Sequence, residues 1–146
     1  MKKILTLALM LTIVATTAFS HTTGVVNKKV VETFSKEFAN AESVKWEVTN
    51  EVYKATFRID GQTMFAYYNE AGEQLAVARN LMVSQLPITL ATDLQDSYKK
   101  YPLTELFEVA TDNETAYYAT VHSATHEIIL KSTGASGWSV YKKEKK

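Results

Sequence analysis

The sequence predicts an α+β fold: a helix followed by a four-stranded antiparallel meander, written twice in tandem, with both helices packed on one face of the sheet. Three observations predict it. Apolar residues recur at helical spacing in two places, Val30/Phe34/Phe38 and Leu90/Leu94/Tyr98. After each, the period drops to two, the spacing of a strand with one buried side. Finally, YKATF at residues 53–57 returns as YYATV at residues 117–121. The turns of the first half centre near residues 50, 60 and 71 and those of the second near 113, 124 and 135, offsets of 63, 64 and 64.

The chain opens on a leader. MKK is basic, an apolar run follows, and Ala18-Phe19-Ser20 places small residues where a signal peptidase reads them. Residues 1–20 are therefore expected to be a signal peptide cleaved before His21. A membrane anchor is the lesser reading. A bilayer span needs about 20 apolar residues, and Thr6, Thr12, Thr16 and Thr17 interrupt this run. No cysteine follows to carry a lipid. The expected location is periplasmic or secreted, with no stable membrane anchor.

Residues 21–146 then read as a single domain, with repeats at residues 27–80 and 86–142. The chain has no cysteine, so burial must hold this exported domain together without disulfides. Six Phe, eight Tyr and two Trp supply the area. Lys+Arg and Asp+Glu are equal at 16 each, and two of the lysines lie in the leader, leaving the remainder at −2. Four more lysines sit in the last five residues; the body before them carries −5 and lacks the basic face that nucleic acid demands. That lysine tail reads as a solvated, frayed end.

Asn27 is placed to cap the first helix. Val44, Trp46 and Val48 alternate with Lys45 and Glu47 as a first strand, and Thr49-Asn50-Glu51 turns the chain. Tyr53, Ala55, Phe57 and Ile59 alternate with Lys54, Thr56 and Arg58. Asp60-Gly61 is a two-residue hairpin signal, because a type I′ turn needs positive φ at both positions. Residues 63–68 return, residues 69–72 turn, and residues 74–79 form a fourth strand. Pro87 suits the first turn of the second helix. Leu90, Leu94 and Tyr98 line its apolar side with Ala91 and Tyr101, and Pro102 ends it. Strands are then expected at residues 106–110, 117–122, 126–131 and 138–141, with a turn at 134–137.

This organisation resembles the exported PepSY-like, or beta-lactamase-inhibitor-like, proteins of Bacteroidetes-type bacteria. The matching residues are the helix ending near Phe38, the Val44-Lys45-Trp46 strand, the Tyr53 to Phe57 strand and the step from Tyr68 to Gly72. The Leu86-Pro87 start and Tyr101-Pro102 end of the second helix match too. Two features depart from the pattern: the turn at residues 134–137, and Val109 standing where Trp46 maps. The resemblance implies helices on one sheet face with the other face open, a binding or inhibitory role towards another exported protein, and no catalysis. It names no partner.

The residues themselves offer little chemistry. His122 and His126 flank the turn at residues 123–125, and His21 is a third imidazole, but zinc wants three or four ligands in tetrahedral array and no cysteine assists. Nucleophilic catalysis lacks a cysteine, a GxSxG turn and a histidine with an evident partner. Five scattered glycines make no phosphate cradle. Asn113-Glu114-Thr115 fits a glycosylation acceptor but reads equally as turn chemistry. The expectation is no enzyme, no cofactor and no metal.

A binding surface is the better expectation. Val44, Trp46, Val48, Tyr53, Ala55, Phe57, Ile59, Tyr117, Ala119 and Val121 are assigned to the helix-packed face. Lys45, Glu47, Lys54, Thr56, Arg58, Tyr118, Thr120 and His122 are assigned to the open face. The third strand of each half is apolar on both sides. Phe65, Tyr67, Tyr118 and Ile129 are read as an exposed stripe on the open face, rimmed by Lys54, Arg58 and Lys131, with His122 of the same face counted among the binding residues, and suited to a protein or peptide partner. The same aromatics are ordinary strand formers, and that reading stays open. Two others stand beside it: a small-ligand carrier with a pocket between helices and sheet, and a self-associating envelope protein.

Overall fold

The computed structural model describes residues 25–146, so the leader and its expected cleavage point before His21 lie outside the described residues. The chain runs through α1 (Lys28–Glu37), β1 (Glu42–Thr49), β2 (Val52–Ile59), β3 (Gln62–Tyr68) and β4 (Gln74–Asn80). A short 3-10 turn (Val83–Gln85) leads to α2 (Ile88–Tyr98), β5 (Leu103–Ala110), β6 (Thr115–His122), β7 (His126–Ser132) and β8 (Ser139–Lys145).

The strands form one antiparallel sheet in sequence order, β1 to β8. This corrects the expected fold class. In place of an α+β tandem of two four-stranded meanders, the molecule is mostly β: a continuous eight-stranded sheet with helices of only 10 and 11 residues. The join between β4 and β5 makes the difference. Val77, Ala78, Arg79 and Asn80 pair with Ala110, Val109, Glu108 and Phe107. Periodicity and turn residues report local conformation, not which neighbour satisfies a strand's outward N–H and C=O groups. Joining also buries Ala78 and Val109, which two free edges would expose.

Both helices pack on the same face, each over a different part of the sheet. Asn27 caps α1: its side-chain oxygen accepts the Lys29 N–H at 2.9 Å, and its amide nitrogen donates to the Glu70 carbonyl at 3.0 Å. The cap thus ties the helix start to the β3–β4 turn. Val30 and Phe34 are buried against Tyr53, Ala55, Phe57, Ala66 and Tyr68. Phe34 stands edge-on to Phe57 at 5.0 Å and to Trp46 at 5.2 Å, a favourable aromatic geometry. In α2, Leu90 and Leu94 pack on Leu106, Ala119, Val121, Ile128 and Leu130. Burying each such side chain stabilises by about 2 kcal/mol. Tyr101, expected on the apolar side of α2, falls beyond its end and is exposed.

The Asp60-Gly61 turn has the expected positive φ at both positions, 49° and 80°, and joins the Ile59–Gln62 pair. Asn50 and Glu51 do the same between β1 and β2, with φ of 48° and 65°.

The lysine-rich end is a second correction. Rather than fraying, it forms β8, where His126, Glu127, Ile128 and Ile129 pair with Lys145, Glu144, Lys143 and Lys142. Without it, the apolar centre of β7 would be a free edge. The segment is also pinned at its start. The Trp138 N–H donates to Asp93 Oδ2 and its indole N–H to the Leu90 carbonyl, both at 2.9 Å. Gly137 lets the loop approach that closely, because a Cβ there would collide with the Asp93 carboxylate.

Candidate binding face

The face opposite the helices is built by strand alternation. Once Tyr53, Ala55 and Phe57 turn toward α1, Lys54, Thr56 and Arg58 must turn away. Register then carries this choice across the sheet. Thr56 lies opposite Phe65, Phe65 opposite Ala78, Ala78 opposite Val109, and Val109 opposite Ala116. A second row runs from Phe107 through Tyr118 to Lys131, and a third from Thr120 through Ile129 to Lys142. The doubt over the third strands is thereby resolved: Met64, Ala66, Tyr68, Ile128 and Leu130 serve the helix face, Phe65, Tyr67 and Ile129 the other.

All eight residues expected at the binding surface, Lys54, Arg58, Phe65, Tyr67, Tyr118, His122, Ile129 and Lys131, occupy this face by register. Their roles differ from the expectation. Tyr118 and Ile129 are only 7% and 5% exposed, so they are not an exposed stripe. They belong to a small second core with Ala76, Ala78, Val109 and Ala116, and Phe65, Tyr67 and Phe107 pack half-buried against it. Those three rings are the apolar surface actually presented. Phe65 and Phe107 meet edge-on at 6.1 Å across β4.

The lysines lie over the rings instead of standing at a rim. Lys54 Nζ sits 5.2 Å from the centre of the Phe65 ring and 3.2 Å from Glu47 Oε2. Lys131 Nζ sits 5.7 Å from the centre of the Tyr118 ring and 2.6 Å from Glu114 Oε1. The Glu114 hydrogen bond holds the Lys131 ammonium above its ordinary pKa. Burial raises the Tyr118 hydroxyl. Burial, and secondarily the Glu47 charge, push Tyr67 up to about 12. These hydroxyls therefore stay neutral donors, and the face offers hydrogen bonds rather than phenolate charge. Arg58 turns back to the Gly61 carbonyl at 3.1 Å.

His122 Nε2 lies 3.1 Å from Thr104 Oγ1 and 3.7 Å from Glu127 Oε2. Because His122 pairs with Glu127, His126 falls on the opposite side of the hairpin, and the two imidazoles do not face each other. Among the described residues no group of three or more His, Cys, Asp or Glu is placed to hold a metal.

Sequence reasoning missed Phe107, Val109 and Tyr141. The Tyr141 ring stands edge-on to Tyr118 at 5.6 Å. Val109, taken as the counterpart of Trp46, lies on the other face: Trp46 packs under α1, whereas Val109 joins the second core. The alternation of Leu106 and Glu108 with Phe107 and Val109 held this signal, but both sets contain an apolar residue, and pairing with Ala78 decides between them.

No protein-family model matches the chain, and no curated protein matches it in sequence. Its fold is found among solved structures. A BLIP-like protein from Bacteroides fragilis matches with a TM-score of 0.70 at 19% identity, over 82% of this chain and 85% of that one. A DUF2874 family protein from Bacteroides ovatus matches at 0.72 and 19%, over 81% and 86%. A candidate periplasmic protein from Bacteroides eggerthii matches at 0.74 and 12%, over 84% and 90%. The chain has the fold of these BLIP-like and DUF2874 structures, in agreement with the resemblance read from its residues. Among the described residues no helix is long and apolar enough to cross a membrane.

Proposed function

We propose that this chain is an exported, non-catalytic, inhibitor-like protein that holds a protein or peptide partner against the sheet face opposite its helices. One observation carries the reading: Phe65, Tyr67 and Phe107 form a rigid, half-buried aromatic platform seated on a second small core, and no described element covers it. Aromatic anchors held by a stiff support give interface energy at little cost in side-chain freedom. The lysines clipped over Phe65 and Tyr118 supply polar contacts beside them. The fold shared with a BLIP-like protein and a candidate periplasmic protein supports the same class of role and the same compartment. The small-ligand reading has no observation in its favour, since Phe34, Phe57, Tyr68, Leu90 and Leu130 fill the layers between helices and sheet.

The test is capture from envelope extract by the chain from residue 21 onward, compared with Tyr67→Ala and Phe107→Ser variants and with Ile88→Ser on the exposed side of α2. A partner kept by the Ile88 variant and lost by the other two supports the proposal. Equal capture by all of them overturns it. Dimerisation that depends on Tyr67 and Phe107 identifies a second copy as the occupant.

A further inference from the structure

We infer that β1 is the surface on which a second copy of this chain docks: the two β1 strands pair antiparallel about a two-fold axis at Trp46 and continue the sheet from one copy into the other. This concerns the edge of the sheet and is independent of the aromatic face.

β1 and β8 are the two edges of the sheet, and their charges differ. β8, SVYKKEK, sets three lysines against one glutamate, and lysines along an edge discourage strand addition. β1 alternates Lys45 and Glu47 with Trp46 and Val48. Its irregularity is confined to its start, between Glu42 and Lys45, where Ser43 adopts a φ of 54°. From Lys45 to Thr49 its pairing with β2 is unbroken, so the outward N–H and C=O groups of this stretch form a regular row.

The residues of that row select a copy of themselves. Residues directly opposite in an antiparallel pair point to the same face. A two-fold axis must therefore pass at a residue, because an axis between residues sets an apolar side chain opposite a charged one. Centred on Lys45 or on Glu47, the pairing opposes like charges. Centred on Val44 it falls in the irregular start, and centred on Val48 it carries Lys45 past the end of the other strand. Centred on Trp46, it sets Lys45 of each copy opposite Glu47 of the other, two favourable cross-strand pairs at once. Lys45 is exposed and, among the described residues, enters no ion pair. Glu47 gives Oε2 to Lys54, and its side chain stays half exposed.

Apolar surface lies beside the row on the helix face. An α-helix turns by about 100° per residue, so Phe34 lies midway around α1 between Glu37 and Val31. Glu37 accepts hydrogen bonds from Tyr68 and Gln74 on β3 and β4, so Val31 faces the β1 side. Val31 and Val44 are left 38% and 37% exposed. The axis at Trp46 sets Val44 beside Val48 of the second copy and Trp46 beside its own counterpart. It also turns the Val31 flanks of the two helices toward each other, where the exposed apolar area is covered.

Sedimentation velocity of the chain from residue 21 onward, over a concentration series, tests this, with circular dichroism to verify the fold of each variant. The parent is expected to dimerise. Lys45→Glu and Glu47→Lys each oppose like charges twice in the dimer and weaken it about tenfold or more. Mixed in equal amounts, the two variants recover the association of the parent, because each supplies the charge that the other lacks. Tyr67→Ala leaves the dimer intact, which separates it from the aromatic-face reading. A parent that stays monomeric throughout overturns the proposal. So does a dimer that both charge variants retain, a mixture that associates no better than either variant alone, or a dimer lost with Tyr67→Ala.

Discussion

Lys54 and Phe65, neighbours on β2 and β3, are stacked: the ammonium lies 5.2 Å above the ring and is held there by Glu47. The contact shields a half-buried ring on the face without helices. An exposed cation–π pair contributes about 0.5–1 kcal/mol, and a surface ion pair adds about as much at most. Lys54→Ala is therefore expected to lower stability by about 1 kcal/mol in urea unfolding. It also uncovers Phe65, which increased binding of an apolar dye reads directly. Unchanged dye binding means the ring was not shielded.

Tyr67 supplies a test that is independent of stability. Its hydroxyl is held up to about 12 by burial and by Glu47. A group whose pKa is raised in the folded state favours folding below its ordinary value of 10.0, and that contribution fades as pH climbs from there toward 12. Following phenolate absorbance in the parent and in Tyr67→Phe, the difference between the two curves should rise near pH 12 and not near 10. A midpoint near 10 shows the hydroxyl to be solvated.

Asp93 works in the opposite direction. The Trp138 N–H, and after it the Ser97 hydroxyl, hold its carboxyl below the ordinary 3.8. A lowered pKa stabilises the folded chain above the unfolded value and loses that contribution as pH falls through the folded one. Asp93→Asn is expected to be less stable than the parent at pH 7, with the gap closing below pH 3.8. A gap that persists in acid assigns the effect to packing instead of charge.

Glu51 sits at a φ of 65° in a turn that suits glycine. The left-handed conformation costs a side-chain-bearing residue about 1–2 kcal/mol, part of which glycine returns as unfolded-chain entropy. Glu51→Gly should therefore raise stability by about 0.5–1 kcal/mol by thermal unfolding. A loss shows that the glutamate side chain contributes more than its backbone strain.

Much of this molecule was legible because its signals are local. Val30 and Phe34, the Asp60-Gly61 turn and the alternation through Tyr53 and Phe57 each declare themselves within a few residues. The same alternation placed Lys54, Arg58, Tyr118 and His122 on one face. Strand pairing is not local. Nothing near Ala78 announces Val109 as its neighbour, so neither the continuous sheet nor the face that Val109 occupies is legible in the sequence. Burial by lateral neighbours is likewise invisible to alternation. Tyr118 and Ile129 do point away from the helices, yet adjacent side chains close over them. The lysines of β8 misled for a related reason: charge forecasts solvent for a side chain and says little about its backbone.

The seam between β4 and β5 sets how the molecule yields. The register pairs there run from Val77 to Asn80 only, whereas β5 and β6 pair along nearly their whole length. Val30 and Phe34 of α1 pack on β2 and β3, and Leu90 and Leu94 of α2 on β5, β6 and β7, so the buried side chains of neither helix staple that seam. On the helix side, the Arg79–Glu108 ion pair spans it. Under a pulling force the sheet should part along this line, leaving two lobes that each retain a helix. Force applied at the sheet's ends would thereby separate Phe65 from Phe107 and split the aromatic platform before either lobe unravels.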